Sequence, residues 1–154
     1  MMVALRRISE VSTLMDWRAE VIRNVFGKEP DATLLDANRQ YYIRHITYGM
    51  NIAIIASCNG RDCGCGAICL SEELPSPDNP SGKCAYLMNI YVREAFRKHG
   101  IAHEIVARLV EEAKKRGCDK IYLETTADGR SVYSILGFHD MPDMMKYYDT
   151  ENNY

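Results

Sequence analysis

The stretch Cys84-Ala85-Tyr86-Leu87-Met88-Asn89-Ile90-Tyr91-Val92, followed by Phe96-Arg97-Lys98-His99-Gly100-Ile101-Ala102, decides how this chain is read. Cys84 to Val92 reads as a strand. From about Gly100 to Arg116, the apolar residues Ile101, Ile105, Leu109 and Ala113 recur at four-residue spacing, which predicts an amphipathic helix. Lys114, Lys115 and Arg116 complement the negative end of its dipole, and Gly117 stops it. Three features meet where strand gives way to helix. Gly100 lets a ligand approach the backbone, the first-turn amides lack internal partners, and the dipole adds partial positive charge, a combination suited to a pyrophosphate. Arg97, Lys98 and His99 add cationic or donor side chains.

Working outward, Lys120 to Thr125 alternates like a strand, Arg130 to Leu136 makes a short helix closed by Gly137, and Phe138 onward can supply one or two last strands, including Met144 to Tyr148. Toward the N-terminus, prolines at 75, 77 and 80 make Glu72 to Gly82 a loop. Asn59-Gly60 tolerates the positive φ of a tight turn, so Asn51 to Cys58 and Gly64 to Ser71 form a hairpin. Before it come a strand, Val3 to Ile8, and two helices. The first is capped by Ser9 or Ser12 and carries Leu14, Trp17, Val21 and Val25 on one face. The second starts near Ala32 behind Asp31, buries Leu34, Leu35, Tyr41, Tyr42 and Ile46, and stops at Gly49. The order is β-α-α-β-β-β-α-β-α-β. It implies an α/β (α+β) fold with a mixed central sheet of six to seven strands and about four helices on both faces.

At 154 residues, 47% of them hydrophobic, the chain suits one domain spanning 1–154. A net charge of -2 offers no cationic surface for a nucleic-acid backbone, and no run of about 18 apolar residues predicts a membrane span. The N-terminus becomes charged before any apolar leader forms, so a cytoplasmic location is expected. There the six cysteines (Cys58, Cys63, Cys65, Cys69, Cys84, Cys118) are expected to be reduced. Cys63, Cys65 and Cys69 fall at odd positions of one strand rather than on zinc-knuckle turns, and the histidines show no ligand spacing, so no metal is expected. Dinucleotide and nucleoside-triphosphate glycine fingerprints are both missing.

Taken in order, the strand 84–92, the run Arg97 to Ala102, its helix, Ile121-Tyr122-Leu123-Glu124-Thr125 and Tyr133-Ser134-Ile135-Leu136-Gly137-Phe138 resemble the GNAT acetyltransferase superfamily. The hexapeptide is similar to that family's [RQ]-x-x-G-x-[GA] acetyl-CoA signature. The resemblance implies an N-acetyltransferase that moves acetyl from acetyl-CoA to a small-molecule or peptide amine by direct attack in a ternary complex. The alternative is a module of the same fold that binds or senses acyl-CoA. The resemblance further implies that backbone groups of Ile90, Tyr91 and Val92 meet the pantetheine arm, and that Arg97, Lys98, His99, Gly100, Ile101 and Ala102 hold the pyrophosphate. It makes Tyr133 the general acid for the departing thiolate.

Two positions depart from the family pattern. Thr126 stands where many relatives place an Asn, and Tyr86 where several carry a catalytic Glu, which leaves the general base unassigned. The two N-terminal helices and the proline loop are expected to meet the acceptor, with Arg18, Glu20, Tyr41, Tyr42 and Glu72 as candidates. The identity of the acceptor and the oligomeric state, a homodimer included, stay open.

Overall fold

Asn59 (φ 51°) and Gly60 (φ 80°) both take left-handed backbone, the geometry a two-residue hairpin turn requires. They join β2 (Asn51–Cys58) to β3 (Arg61–Glu72), and the whole sheet grows from this hairpin. In the computed structural model, which describes residues 2–149, β1 (Val3–Ile8) pairs antiparallel with β2. On the other side β3 pairs antiparallel with β4 (Lys83–Val92), and β4 pairs parallel with β5 (Lys120–Tyr122). The strand order is β1-β2-β3-β4-β5.

The parallel pair requires a crossover, which α3 (Ile101–Lys115) supplies. Its apolar stripe of Ile101, Ile105, Val106, Leu109 and Ala113 packs on Ile52, Ile54, Ile68, Ala85 and Leu87. Full burial of residues such as Ile52, Ile105 and Leu109 stabilises by about 1.5–3 kcal/mol each. The opposite sheet face, with Ala53, Ile55, Cys65 and Ala67, is covered by α1 (Val11–Val25) and α2 (Ala32–Thr47). Asp31 caps α2 by accepting from the Leu34 amide at 2.7 Å. A short α4 (Arg130–Ile135) follows β5. Among the described residues no helix is long and apolar enough to cross a membrane.

Several expectations are corrected. The sheet has five strands among the described residues, not six or seven. The backbone from His139 to Tyr148 is irregular, Met144 to Tyr148 included. Pro142 has no N–H to donate, and Met144 to Tyr148 lacks the polar–apolar alternation of a half-buried strand. Among the described residues the outer edge of β5 has no strand partner, and a cavity of about 780 Å³ lies between β5, α3, α4 and this segment. Helix α1 starts behind Glu10, not Ser9 or Ser12, and the Glu10 carboxylate accepts from Ser12 Oγ at 2.9 Å and Thr13 Oγ1 at 2.7 Å. Val25 and Leu34 lie on solvent-facing sides of their helices.

Cys63 does not share a face with Cys65. Between Ala56 opposite Gly64 and Ser57 opposite Asp62, Cys63 is an extra residue in β3. Such a bulge shifts the alternation by one, so Cys63 joins the α3-side core and Cys65 packs with Trp17 and Tyr91.

Candidate active site

Strand β4 is held on both sides for only part of its length. Its parallel pairing with β5 covers Cys84 to Tyr86 opposite Lys120 to Tyr122, where the Tyr86 and Tyr122 rings lie 5.1 Å apart. Past Tyr86 the β5 side is open. On the β3 side Cys65 faces Tyr91 but Ala67 faces Met88, so Gly66 stands opposite two residues, Asn89 and Ile90. Asn89 absorbs the extra length with φ 59°, a conformation Asn tolerates better than most residues.

This bulge reverses which residues face which layer. Before it Ala85 and Leu87 belong to the α3-side core, and after it Ile90 and Val92 do. Asn89 turns instead to α1, where its Oδ1 accepts from Arg18 Nη1 at 2.9 Å, and its carbonyl accepts from Cys65 Sγ at 3.3 Å. The Arg93 amide donates to Cys63 O, so by alternation the amides of Ile90 and Val92 turn toward the open edge.

Where β4 and β5 part there is a cleft of about 600 Å³, within the usual range of small-molecule sites. Its floor and one wall are Tyr86 to Ile90 and Leu123 to Thr126, with Tyr133 reaching in from α4. The other wall is Arg18, Val21, Val25 and Phe26 of the α1 segment, and Asn38, Tyr41 and Tyr42 of α2. The expected Ile90, Thr126, Tyr133, Arg18, Tyr41 and Tyr42 therefore converge. Tyr91 does not. Its buried ring packs edge-on against Trp17 at 6.4 Å, and its backbone faces Cys65 of β3. Val92 is buried, and its carbonyl accepts from Arg97 Nε at 2.9 Å.

Glu20 is also turned away from the cleft. Both its oxygens accept from Arg93, at 2.9 Å each, and the Arg93 guanidinium lies over the Trp17 ring. The Arg93 hydrogen bonds hold the Glu20 carboxyl below its ordinary range. Glu72 is exposed at the end of β3, opposite Lys83 and outside the cleft lining.

The phenols in the cleft are kept protonated. Burial pushes Tyr42 up to about 12 and, with Cys69 adding to it, raises Tyr41 further. Burial alone raises Tyr133, whose ring packs edge-on to Phe138 at 5.9 Å. Burial first, and then the Glu124 carboxylate beside it, raises Tyr86. Among the described residues Glu124 is the one carboxylate in the cleft lining, and sequence reading missed it. It lies two residues past Tyr122, on the same side of an extended chain, but the alternation does not say which side fronts a cleft. Asn89 and Asn38 were also missed, Asn89 because only the bulge turns it inward.

At the far end of β4, Lys98 (φ 66°) and Gly100 (φ 76°) take left-handed backbone on the way into α3. A Cβ on Gly100 would meet nothing within 4 Å. Among the described residues, the amides of Lys98 to His103 have no protein acceptor, and the first helical bond runs from Glu104 N to Gly100 O. Open amides, the positive helix end, and the exposed Lys98 and His99 side chains form a cradle for an anion.

Residues 12–138 match the Acetyltransferase (GNAT) family model. The chain belongs to the GNAT acetyltransferase family. Over nearly its full length this GNAT chain superposes on a predicted acetyltransferase from Clostridium acetobutylicum solved with acetyl-CoA. The TM-score is 0.87 at 27% identity, covering 99% of this chain and 100% of that one. Glucosamine-6-phosphate N-acetyltransferase from Arabidopsis thaliana shares the fold, with TM-score 0.74 at 17% identity, covering 97% and 100% of the two chains. In sequence, the chain is 36% identical over 67 residues to probable glucosamine 6-phosphate N-acetyltransferase 2 of Oryza sativa subsp. japonica, 44% of this chain and 40% of that protein. It is 31% identical over 71 residues to N-alpha-acetyltransferase 30 of Saccharomyces cerevisiae, again 44% and 40%. The matched segments thus span about 40% of the length of these two relatives.

Proposed function

We propose that this GNAT chain is an N-acetyltransferase that passes acetyl from acetyl-CoA to an amine by direct attack in a ternary complex. The observation that carries the reading is the parting of β4 from β5 at Tyr86, with a half-buried phenol, Tyr133, in the wall of the opening and the open amides of 98–103 beyond the C-terminal end of β4. Those amides fit a pyrophosphate, and the free edge of Ile90 and Val92 fits the amide-bearing pantetheine arm as an added strand would.

The amine lone pair attacks the thioester carbonyl carbon, a C–N bond forms, and the C–S bond then breaks. The Ile90 amide donates to the developing oxyanion. Tyr133 Oη–H gives its proton to the departing thiolate, its raised pKa keeping that proton in place at neutral pH. The incoming ammonium must lose a proton first. Glu124 is the carboxylate in reach of the cleft and takes it, directly or through water.

The test is release of free thiol from acetyl-CoA by the purified chain against a panel of polyamines, amino acids, aminoglycosides and peptides. Turnover with any of them supports transfer. Tyr86, in the place of a family Glu, favours a second reading as an acyl-CoA-binding module. That reading predicts stabilisation by acetyl-CoA with no thiol release from any acceptor.

A further inference from the structure

Among the described residues the cleft lining contains one cation, Arg18, and its surroundings are unlike those of the other paired guanidinium groups. Arg6, Arg23, Arg93, Arg108, Arg116 and Arg130 each meet a carboxylate. Among the described residues Arg18 meets none, although Glu20 lies two positions away, because Arg93 holds both Glu20 oxygens. Arg18 is instead gripped by two neutral amides. Its Nε donates to Asn38 Oδ1 and its Nη1 to Asn89 Oδ1, both at 2.9 Å.

Each amide is itself oriented. Asn38 Nδ2 donates to Leu34 O at 2.7 Å, and Asn89 Nδ2 contacts Cys65 Sγ at 3.9 Å, so the carbonyl oxygens are the atoms turned to the guanidinium. The Phe26 ring lies beneath at 5.6 Å. The fork is thus fixed in direction and partly desolvated, with Nη2 unmatched by any protein acceptor among the described residues and the charge uncompensated. A guanidinium held this way is prepared for a bidentate oxyanion, and leaving it unpaired in a half-buried site is costly. It lies beside the β4 bulge, away from the amides of 98–103 that suit the pyrophosphate.

We propose that the acceptor is an amine that also carries an anionic group, a carboxylate or a phosphate monoester, seated on Arg18 while its amine faces Tyr133 and Glu124. This rests on the acetyl-transfer reading above. The two charges of the cleft then match the two ends of one zwitterionic substrate. Arg18 is a specificity residue here and takes no part in moving protons.

Matched acceptors test it with the purified full chain: L-serine against L-serinamide for the carboxylate, and glucosamine 6-phosphate against glucosamine for the phosphate. Thiol release should show kcat/KM at least tenfold higher for the anionic member of one pair, and which pair responds identifies the anion. The amide's amine is the more easily deprotonated, so a preference for the acid does not arise from amine basicity. Arg18→Gln should erase that preference chiefly through KM, Arg18→Lys should restore part of it, and both variants should keep the wild-type thermal shift with acetyl-CoA.

Equal or better use of the members that lack the anion, in both pairs, overturns the proposal. So does an Arg18→Gln variant that loses the same factor on both members of a pair. A binding readout separates the two levels of inference. If no acceptor releases thiol, yet L-serine or glucosamine 6-phosphate raises the thermal midpoint in the presence of CoA for wild type and not for Arg18→Gln, the anion seat stands and acetyl transfer falls. If neither thiol release nor Arg18-dependent stabilisation is seen, the anion seat falls as well.

Discussion

Gly66 lies opposite the β4 bulge, and a Cβ built on it would come within 2.8 Å of Ile90 Cδ1 and 2.6 Å of Ile105 Cγ2. Leu109 Cδ1 would be 3.1 Å away, so the added methyl group meets three packed side chains at once. Gly66→Ala is therefore expected to destabilise by about 1–3 kcal/mol, the usual cost of overpacking a filled core. Because Ile90 is one of the neighbours that must move, the edge where β4 leaves β5 moves with it. Urea unfolding should show a lowered midpoint at unchanged m-value, and the acetyl-CoA thermal shift should shrink. A variant as stable as wild type would mean that the bulge has slack the contacts do not reveal.

Gly100 enters α3 with φ 76°, which costs a residue bearing a Cβ about 1–2 kcal/mol. Since nothing lies within 4 Å of the Cβ position, the protein has room for a side chain, and a bulky one would enter the space proposed for the pyrophosphate. With acetyl-CoA at about 100 Kd the wild type should gain about 2.7 kcal/mol of stability. Gly100→Val should lose most of that gain. NAD and ATP at matched concentration should give smaller shifts than acetyl-CoA with the wild type. A full-sized shift in the variant would remove these amides as the pyrophosphate cradle.

Glu112, 8% exposed on α3, accepts from Arg116 Nη1 at 2.6 Å and Arg108 Nε at 3.2 Å, and its pKa is lowered chiefly by the Arg116 bond. A carboxyl with a lowered folded pKa adds stability above its unfolded value, near 4.3, and loses it as pH falls through the folded value. Glu112→Gln should be less stable than wild type by about 1–2 kcal/mol near pH 7, allowing for the partly exposed arginines. The gap should close toward pH 3. Thermal midpoints of both proteins across pH 3–7 check this, and a gap independent of pH would assign the loss to packing alone.

How much of this was legible depended on whether a feature is local. Asp31, Gly49, the Asn59-Gly60 turn, and Gly100 and Gly117 around α3 are read from single residues whose backbone needs are intrinsic, and these elements formed within a few residues of expectation. The bulges at Cys63 and Asn89 were not legible. A bulge is a property of the pairing between two strands, and a one-residue slip reverses every side chain beyond it. That is why the odd-position spacing of Cys63 and Cys65 does not put them on one face, and why Asn89, Asn38 and Arg18 could not be foreseen as one assembly. The strands expected after Phe138 failed for a similar reason. Apolar residues such as Met144 and Met145 signal a strand only when a partner edge takes them up, and here they remain exposed.

Tyr133 is the residue on which the proposed chemistry rests. It belongs to a six-residue helix whose backbone alone would not fix a side chain, but its ring is held by Phe138 and by the α3-side core. Removing the hydroxyl while keeping the ring leaves that packing in place, so Tyr133→Phe should fold with wild-type stability and keep its acetyl-CoA thermal shift. On the proposed mechanism, what it loses is the proton for the leaving thiolate. General acid catalysis contributes about 10²- to 10⁴-fold, so kcat should fall by that factor with the acceptor KM little changed. The thiol leaves most poorly when solvent cannot protonate it, so the variant should lose more at pH 8 than at pH 6. Its pH–rate profile should also lack the high-pH fall expected as wild-type Tyr133 itself ionises above the ordinary phenol range near 10. Steady-state thiol release from pH 6 to about pH 11.5, past the ordinary phenol value near 10, measures both. Turnover within about threefold of wild type at every pH, far below the range for a general acid, would make the hydroxyl structural and leave protonation to water.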